Sequence, residues 1–161
     1  MMKIINIEIE MENGKVMKGE LYPEVAPITV ENFIKLINDK FFDGLIFHRV
    51  IKGFMIQGGG YDRNLNHKEA PSIKGEFASN GVKNDLLHTR GVLSMARTMV
   101  KDSACSQFFI MHEDAPHLDG EYAAFGKITE GLDVVDEIAD TPTGFQDVPV
   151  KVQVIKTMKV L

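Results

Sequence analysis

The sequence predicts a fold dominated by β-structure, with about eight strands and only two helices. Three observations carry that expectation. Residues 3–22 alternate between apolar and polar side chains around Asn13-Gly14. Short runs of β-branched and aromatic residues recur to the C-terminus. Apolar residues at helical spacing occur in two places, around Val30 to Ile37 and Leu132 to Ala139. Such a set of strands can close into a barrel filled by side chains or pair into a sandwich, and periodicity leaves both open.

Taken in order, Ile5, Ile7, Ile9 and Met11 share one face of a first strand, with Asn6, Glu8 and Glu10 on the other. Asn13-Gly14 is the strongest short hairpin signal, and Val16 to Tyr22 returns as the second strand. Pro23 and Pro27 end it. Thr29 is expected to cap a helix whose Val30, Phe33, Ile34 and Ile37 fall at i, i+3, i+4 and i+7. Asp43-Gly44 closes that element. Ile46 to Gly60, reading IFHRVIKGFMIQGGG, then supplies two strands around a turn at Gly53, with Gly58 to Gly60 expected as a loop.

Residues 61–90 are polar and turn-rich, and read as a long loop within the domain instead of a boundary. Strands are expected again at Val92 to Ala96, Gln107 to Met111 and Ala123 to Ile128. A second helix fits Leu132 to Ala139, with Leu132, Val135, Ile138 and Ala139 on one side, and Val148 to Lys159 reads as the closing strand. No repeat, linker or low-complexity segment divides the chain, so residues 1–161 are expected to form a single domain.

A chain of 161 residues can bury one substantial core. Hydrophobic content of 44% and charged content of 25% are ordinary for a globular protein. A net charge of −5 offers no attraction to nucleic acid or anionic membrane, so neither is expected as a partner. No apolar run is long enough to span a bilayer. Met1 to Met11 carries Lys3, Glu8 and Glu10, unlike a signal peptide. Cys105 is the only cysteine; it permits no internal disulfide and fits a reducing compartment, with the cytoplasm as the expected location.

The chemistry concentrates in the stretch around Arg49. A fixed cation beside Phe54 and Met55 suits an extended, uncharged, partly hydrophobic ligand. Other readings fit less well. His48, His67, His88, His112 and His117 fall in no metal-ligand spacing. One isolated cysteine is more often a small apolar residue than a nucleophile. Gly58-Gly59-Gly60 lacks the Lys-Ser/Thr of a phosphate loop.

F-H-R-V-I-x-G-F-M-I-Q-G-G closely resembles the signature of the cyclophilins, the cyclosporin-binding peptidyl-prolyl cis–trans isomerases. Gly91 to Ala96 (GVLSMA) with Ser106 to Ile110 (SQFFI) is similar to a second block of that family. Leu118-Asp119-Gly120 followed by Phe125-Gly126-Lys127 is similar to a third. The resemblance runs over nearly the whole chain and in order. It implies a closed eight-stranded antiparallel β-barrel capped by two α-helices, with the active surface on an outer face.

It further implies an isomerase that accelerates rotation about Xaa-Pro bonds and assists protein folding, without metal, nucleotide or other cofactor. By resemblance Arg49, Gln57 and Phe54 form the catalytic group. Phe54, Met55, Phe109 and Leu118 match the proline pocket, and Gln57 and Gln107 match side chains that hold the substrate backbone. Ala96 and Arg97 match an edge that pairs with the peptide main chain, while His117 and Tyr122 complete the binding rim.

Three departures stand out. Arg97 lies where asparagine is common. His117 replaces a tryptophan and Tyr122 a histidine of many eukaryotic members, both as in the compact bacterial type. The loop from Thr98 to Cys105 lacks the family's frequent Gly-Pro run. The implied partners are proline-containing peptides and unfolded or partly folded proteins, bound by a monomer, with cyclosporin binding weakened by His117. The rival from another class is a module that holds such chains without turning them over.

Overall fold

The computed structural model describes residues 3–161. Strand β1 (Ile5–Met11) pairs antiparallel with β2 (Val16–Leu21) around the Asn13-Gly14 turn, where Gly14 adopts φ +89°. Helix α1 (Pro27–Asn38) follows, then β3 (Leu45–Ile51) and β4 (Met55–Asp62). After a long polar segment come β5 (Val92–Met95), β6 (Phe108–Met111) and β7 (Ala124–Glu130). Helix α2 (Leu132–Ala139) and β8 (Ile155–Val160) complete the chain.

All eight strands join one sheet in the order β3-β4-β6-β5-β7-β2-β1-β8, with antiparallel neighbours throughout. The two edges meet through an Ile46–Val154 bridge and through hydrogen bonds from Phe47 N–H to the Gln153 carbonyl (3.0 Å) and Gly44 N–H to the Ile155 carbonyl (2.8 Å). The sheet therefore closes as a barrel, and the sandwich alternative falls away. Phe33 of α1 plugs it, with ring centroids 4.9 Å from Phe125 and 5.3 Å from Phe108.

Two cores share one wall. Leu93, Met95, Phe108 and Ile110 point into the barrel, while Val92, Phe109 and Met111 pack outside with Met55, Ala115 and Leu118. Strands β5 and β6 are buried at every position for that reason. In β3 the register against β4 shifts between Phe47, opposite Gly58, and Arg49, opposite Gln57. Strict alternation would send Arg49 inward with Phe47. The extra residue, His48, resets the phase, so Phe47 and Val50 both enter the core and Arg49 faces out.

Several expectations from the sequence need correction. Gly58 to Gly60 belong to β4, not a loop, because neighbouring elements leave no room for side chains there. A Cβ at Gly58 would lie 2.6 Å from the Ile46 carbonyl oxygen, and one at Gly60 2.4 Å from the Gln107 side chain. Pro27 does not end β2; it opens α1, whose N-cap is Ala26 rather than Thr29. The helix ends at Asn38, before Asp43-Gly44, through a turn in which Lys40 takes φ +57°. Strand β8 starts only at Ile155, since residues 148–154 lie outside the ladder apart from isolated bridges.

Thr29 sits in the first turn of α1, with no side-chain cap from the helix itself. Its N–H and hydroxyl both donate to Glu76 Oε1, at 2.6 and 2.7 Å. Glu76 is 3% exposed and comes from the long polar segment, so a carboxylate far away in sequence satisfies the orphan donors and the positive end of the helix. His48 is also constrained. Its ring lies 4.5 Å from Tyr61 and its Nδ1 is buried without a partner. Burial first, then the charges of Arg49 and His67, pull its pKa down to about 4.

Glu76→Ala should cost about 1–3 kcal/mol, because it strands two buried donors, whereas Glu76→Gln keeps an acceptor and should lose less. Equal urea midpoints for wild type and Glu76→Ala would refute that assignment. For His48, the unfolded chain takes up a proton near pH 6.5 while the fold resists until about 4. Its stabilising contribution is complete above pH 6.5, drains away as pH falls towards 4, and totals at most about 3 kcal/mol. Urea melts of wild type and His48→Gln between pH 7 and 4.5 should diverge, with the variant less sensitive to pH.

Candidate active site

The outward face of the wall shared by the two cores carries a cleft of about 340 Å³. Arg49 of β3 and Gln57 of β4 are register partners, and both point outward at its rim. Arg49 Nη1 donates to Gln57 Oε1 (3.3 Å), and Gln57 Nε2 donates to Gln107 Oε1 (3.0 Å). The three side chains form a polar row whose amide orientations follow from the guanidinium, which can only donate.

Behind the row lies an apolar floor. Met55, Phe109 and Leu118 are 2%, 5% and 7% exposed, enough to present a surface to the cleft while packed from below. Phe54 and His117 face each other at one lip, with ring centroids 5.7 Å apart. Tyr122 meets Phe109 edge-on, also at 5.7 Å. Ala96 and Arg97 also line the cleft. Among the described residues, the Ala96 carbonyl and the Arg97 N–H carry no hydrogen bond within the protein, although the Ala96 N–H reaches the Gln107 carbonyl (3.0 Å).

Ten of the residues singled out by resemblance therefore line this one cleft: Arg49, Phe54, Met55, Gln57, Ala96, Arg97, Phe109, His117, Leu118 and Tyr122. Gln107 is the exception. It backs Gln57 and lines a neighbouring cleft of about 250 Å³ with Thr98, Ser103 and Cys105. The loop between these last residues is held by Ser103 Oγ, which accepts from Thr98 N–H and donates to the Val100 carbonyl. It leaves Met99 94% exposed.

Sequence reasoning missed three features. Arg97 stacks between Phe77 and Tyr122, 4.7 Å from each ring centre, and donates to the carbonyls of Glu121 and Thr98. Its side chain is committed to holding the rim. Beneath Phe109, His88 lies within 3.1 Å of Asp119 Oδ1 and 2.8 Å of Ser94 Oγ. This resembles a hydrolytic triad, but Ser94 is 0% exposed and no substrate can reach it. Burial pushes the His88 pKa down despite Asp119, so the ring is a neutral support for the floor. The third feature, His112, binds the turn that carries Phe54.

No three His, Cys, Asp or Glu side chains among the described residues assemble as a metal-ligand set. No helix among them is long and apolar enough to cross a membrane. Chemically the cleft offers the Arg49 guanidinium and the Gln57 amide, backed by the Gln107 amide, beside an apolar floor, while the Arg97 guanidinium is committed to the rim. A guanidinium cannot act as a base, and neither amide titrates. The arrangement suits orienting and polarising a bound amide more than moving its protons.

Comparison with known proteins identifies the family. The family model described as "Cyclophilin type peptidyl-prolyl cis-trans isomerase/CLD" matches residues 5–160. A peptidyl-prolyl cis-trans isomerase of Acinetobacter baylyi is 49% identical over 144 residues, which cover 86% of this chain and 69% of that protein. Peptidyl-prolyl cis-trans isomerase A of Dickeya dadantii is 42% identical over 97% of this chain and 80% of its own length. A crystal structure of a Cryptosporidium parvum cyclophilin, determined in the presence of the dipeptide Ala-Pro, superposes with a TM-score of 0.85 at 29% identity. It covers 97% of this chain and 98% of that one. With the family model matched over residues 5–160 and the fold shared over almost the whole length, the chain belongs to the cyclophilin-type peptidyl-prolyl cis–trans isomerases.

Proposed function

We propose that Arg49 accelerates rotation by donating a hydrogen bond to the prolyl nitrogen of the twisted Xaa-Pro amide. The observation that carries this is the Arg49–Gln57–Gln107 row at the edge of an apolar floor. Amide resonance imposes a barrier of ~18–20 kcal/mol, so uncatalysed exchange takes about tens to hundreds of seconds. In the planar amide the nitrogen lone pair is delocalised and accepts poorly. In the twisted state it localises and becomes a good acceptor. A donor aimed there stabilises the transition state more than the ground state, and the rate rises.

In this reading proline sits on Met55, Phe109 and Leu118 under Phe54. Gln57 and Gln107 hold the substrate backbone, and the open Ala96 carbonyl and Arg97 N–H pair with its main chain. His117 and Tyr122 close the rim. The clients are proline-containing peptides and unfolded or partly folded chains, met in the cytoplasm by a single-domain monomer. A relative of the same fold solved in the presence of the dipeptide Ala-Pro supports a proline-containing peptide as the ligand. A protease-coupled assay on an Ala-Pro peptide tests the whole reading, and binding without turnover would favour a holding module instead.

Arg49→Lys keeps the charge but loses the planar fork, and so separates an oriented donor from a surface ion pair. An ion-pair role would cost within about 1 kcal/mol. Loss of an oriented transition-state donor should lower kcat about 10²–10³-fold with KM little changed and the fold intact. A lysine variant that keeps a third of wild-type kcat is incompatible with the proposal.

Cyclosporin should inhibit more weakly than it inhibits members with tryptophan at the position of His117. An imidazole offers less apolar surface than an indole and is more polar. Titration of wild type beside His117→Trp should show a lower inhibition constant for the tryptophan variant, and identical constants would remove the basis for the claim.

A further inference from the structure

The turn between β3 and β4 carries Phe54, contains Gly53 at φ +81°, and is closed locally by a hydrogen bond from Phe54 N–H to the Ile51 carbonyl at 3.0 Å. It is also held from outside. Gly53 N–H donates to His112 Nδ1 at 2.9 Å, and the Phe54 carbonyl accepts from the His112 N–H at 2.9 Å. One residue just beyond β6 thus grips the turn on both sides of Phe54. His112 is 8% exposed, so these bonds have little competition from water.

The ring's protonation follows from its partners. A nitrogen that accepts from an amide carries no proton, so the imidazole proton sits on Nε2. Nε2 lies 3.1 Å from Asp136 Oδ1 of α2, which accepts that proton in a hydrogen bond and selects the tautomer. Asp136 is itself fixed by Arg90, at 2.7 Å from Nη1 to Oδ1 and 2.9 Å from Nη2 to Oδ2. Arg90 Nη1 also donates to the His112 carbonyl at 3.0 Å. The exposed Lys52–Asp140 pair bridges the same turn to the end of α2, but as a surface ion pair it adds little.

We propose that His112, held in its Nε2–H tautomer by Asp136 and Arg90, is a positioning residue that sets the Phe54 wall of the proline pocket. This rests on the reading above, in which Phe54 packs on the substrate proline. Arg49 lies outside this grip, since the β3–β4 ladder places it opposite Gln57. The relay therefore governs how well the pocket is formed before substrate arrives, not the donor that acts on the twisted amide. Its loss should appear in KM and leave kcat nearly unchanged.

Two substitutions of similar size separate this role from a general structural one. His112→Leu removes the acceptor and should raise KM for an Ala-Pro peptide about five- to tenfold, with kcat within about twofold. His112→Asn places an amide oxygen near the former Nδ1 and should bring KM back to within about threefold of wild type. A leucine variant with unchanged KM, whatever its melting temperature, overturns the proposal. So does equal damage in both variants, or damage confined to kcat. If His112→Leu fails to fold, the asparagine variant and ¹⁵N NMR of the wild-type ring decide. A protonated Nδ1, or no coupling between Nδ1 and the Gly53 amide, would refute the relay. Failure of Arg49→Lys to lose kcat would instead indict the donor reading, so the two can fail separately.

Discussion

One extra residue in β3 decides where the chemistry can occur. Without the bulge at His48, the pleat would place Phe47 and Arg49 on the same face, and one of the two would be in the wrong solvent. A guanidinium in the barrel would be a buried unpaired charge, and a phenyl ring in its place outside would forfeit about 1.5–3 kcal/mol of burial. The bulge lets Phe47 and Val50 remain in the core while Arg49 meets Gln57 outside. His48 absorbs the cost, with Nδ1 buried and unpaired and its proton affinity lowered.

The cleft is rigid because it is the reverse side of the barrel wall. Along β6, Phe108 and Ile110 fill the barrel while Phe109 and Met111 fill the outer cluster, and both faces share one register. A slip by one residue would empty both cores at once. The same logic explains the three glycines of β4: the strand passes so close to Ile46, Phe108 and Gln107 that no side chain fits. Preorganisation of this kind is what a donor-based mechanism needs, since the rate depends on aim and not on proton transfer.

The polar side of the structure is organised by a few buried groups acting across long separations. Glu76 satisfies the first turn of α1, and Asn84 donates to both the Glu76 and Ala124 carbonyls at 2.9 Å. His88 spans Asp119 and Ser94 under the floor. These bonds hold the long segment between β4 and β5 against the barrel, although that segment has almost no regular structure. Buried polar groups of this type are costly unless paired, so each pair locks its loop into one arrangement.

Local pattern was sufficient where apolar residues recur at a regular strand or helical period. The Asn13-Gly14 hairpin, the bounds of α2 and the existence of all eight strands were legible from alternation and helical spacing. The grouping of the cleft residues was legible only through motif resemblance, because Arg49, Ala96 and Leu118 share no local periodicity. Barrel closure was likewise legible only through that resemblance, whereas the bulge at His48, the capping of Thr29 by Glu76 and the grip of His112 on Gly53 had no signal in the sequence. The capping and the grip depend on contacts between residues far apart along the chain, as with the 59 positions separating Gly53 from His112, and the bulge on a one-residue offset of β3 against β4 that alternation within β3 does not report. Hydrophobic periodicity reports which side of an element faces inward, but not which distant group arrives there, and that choice belongs to the tertiary structure.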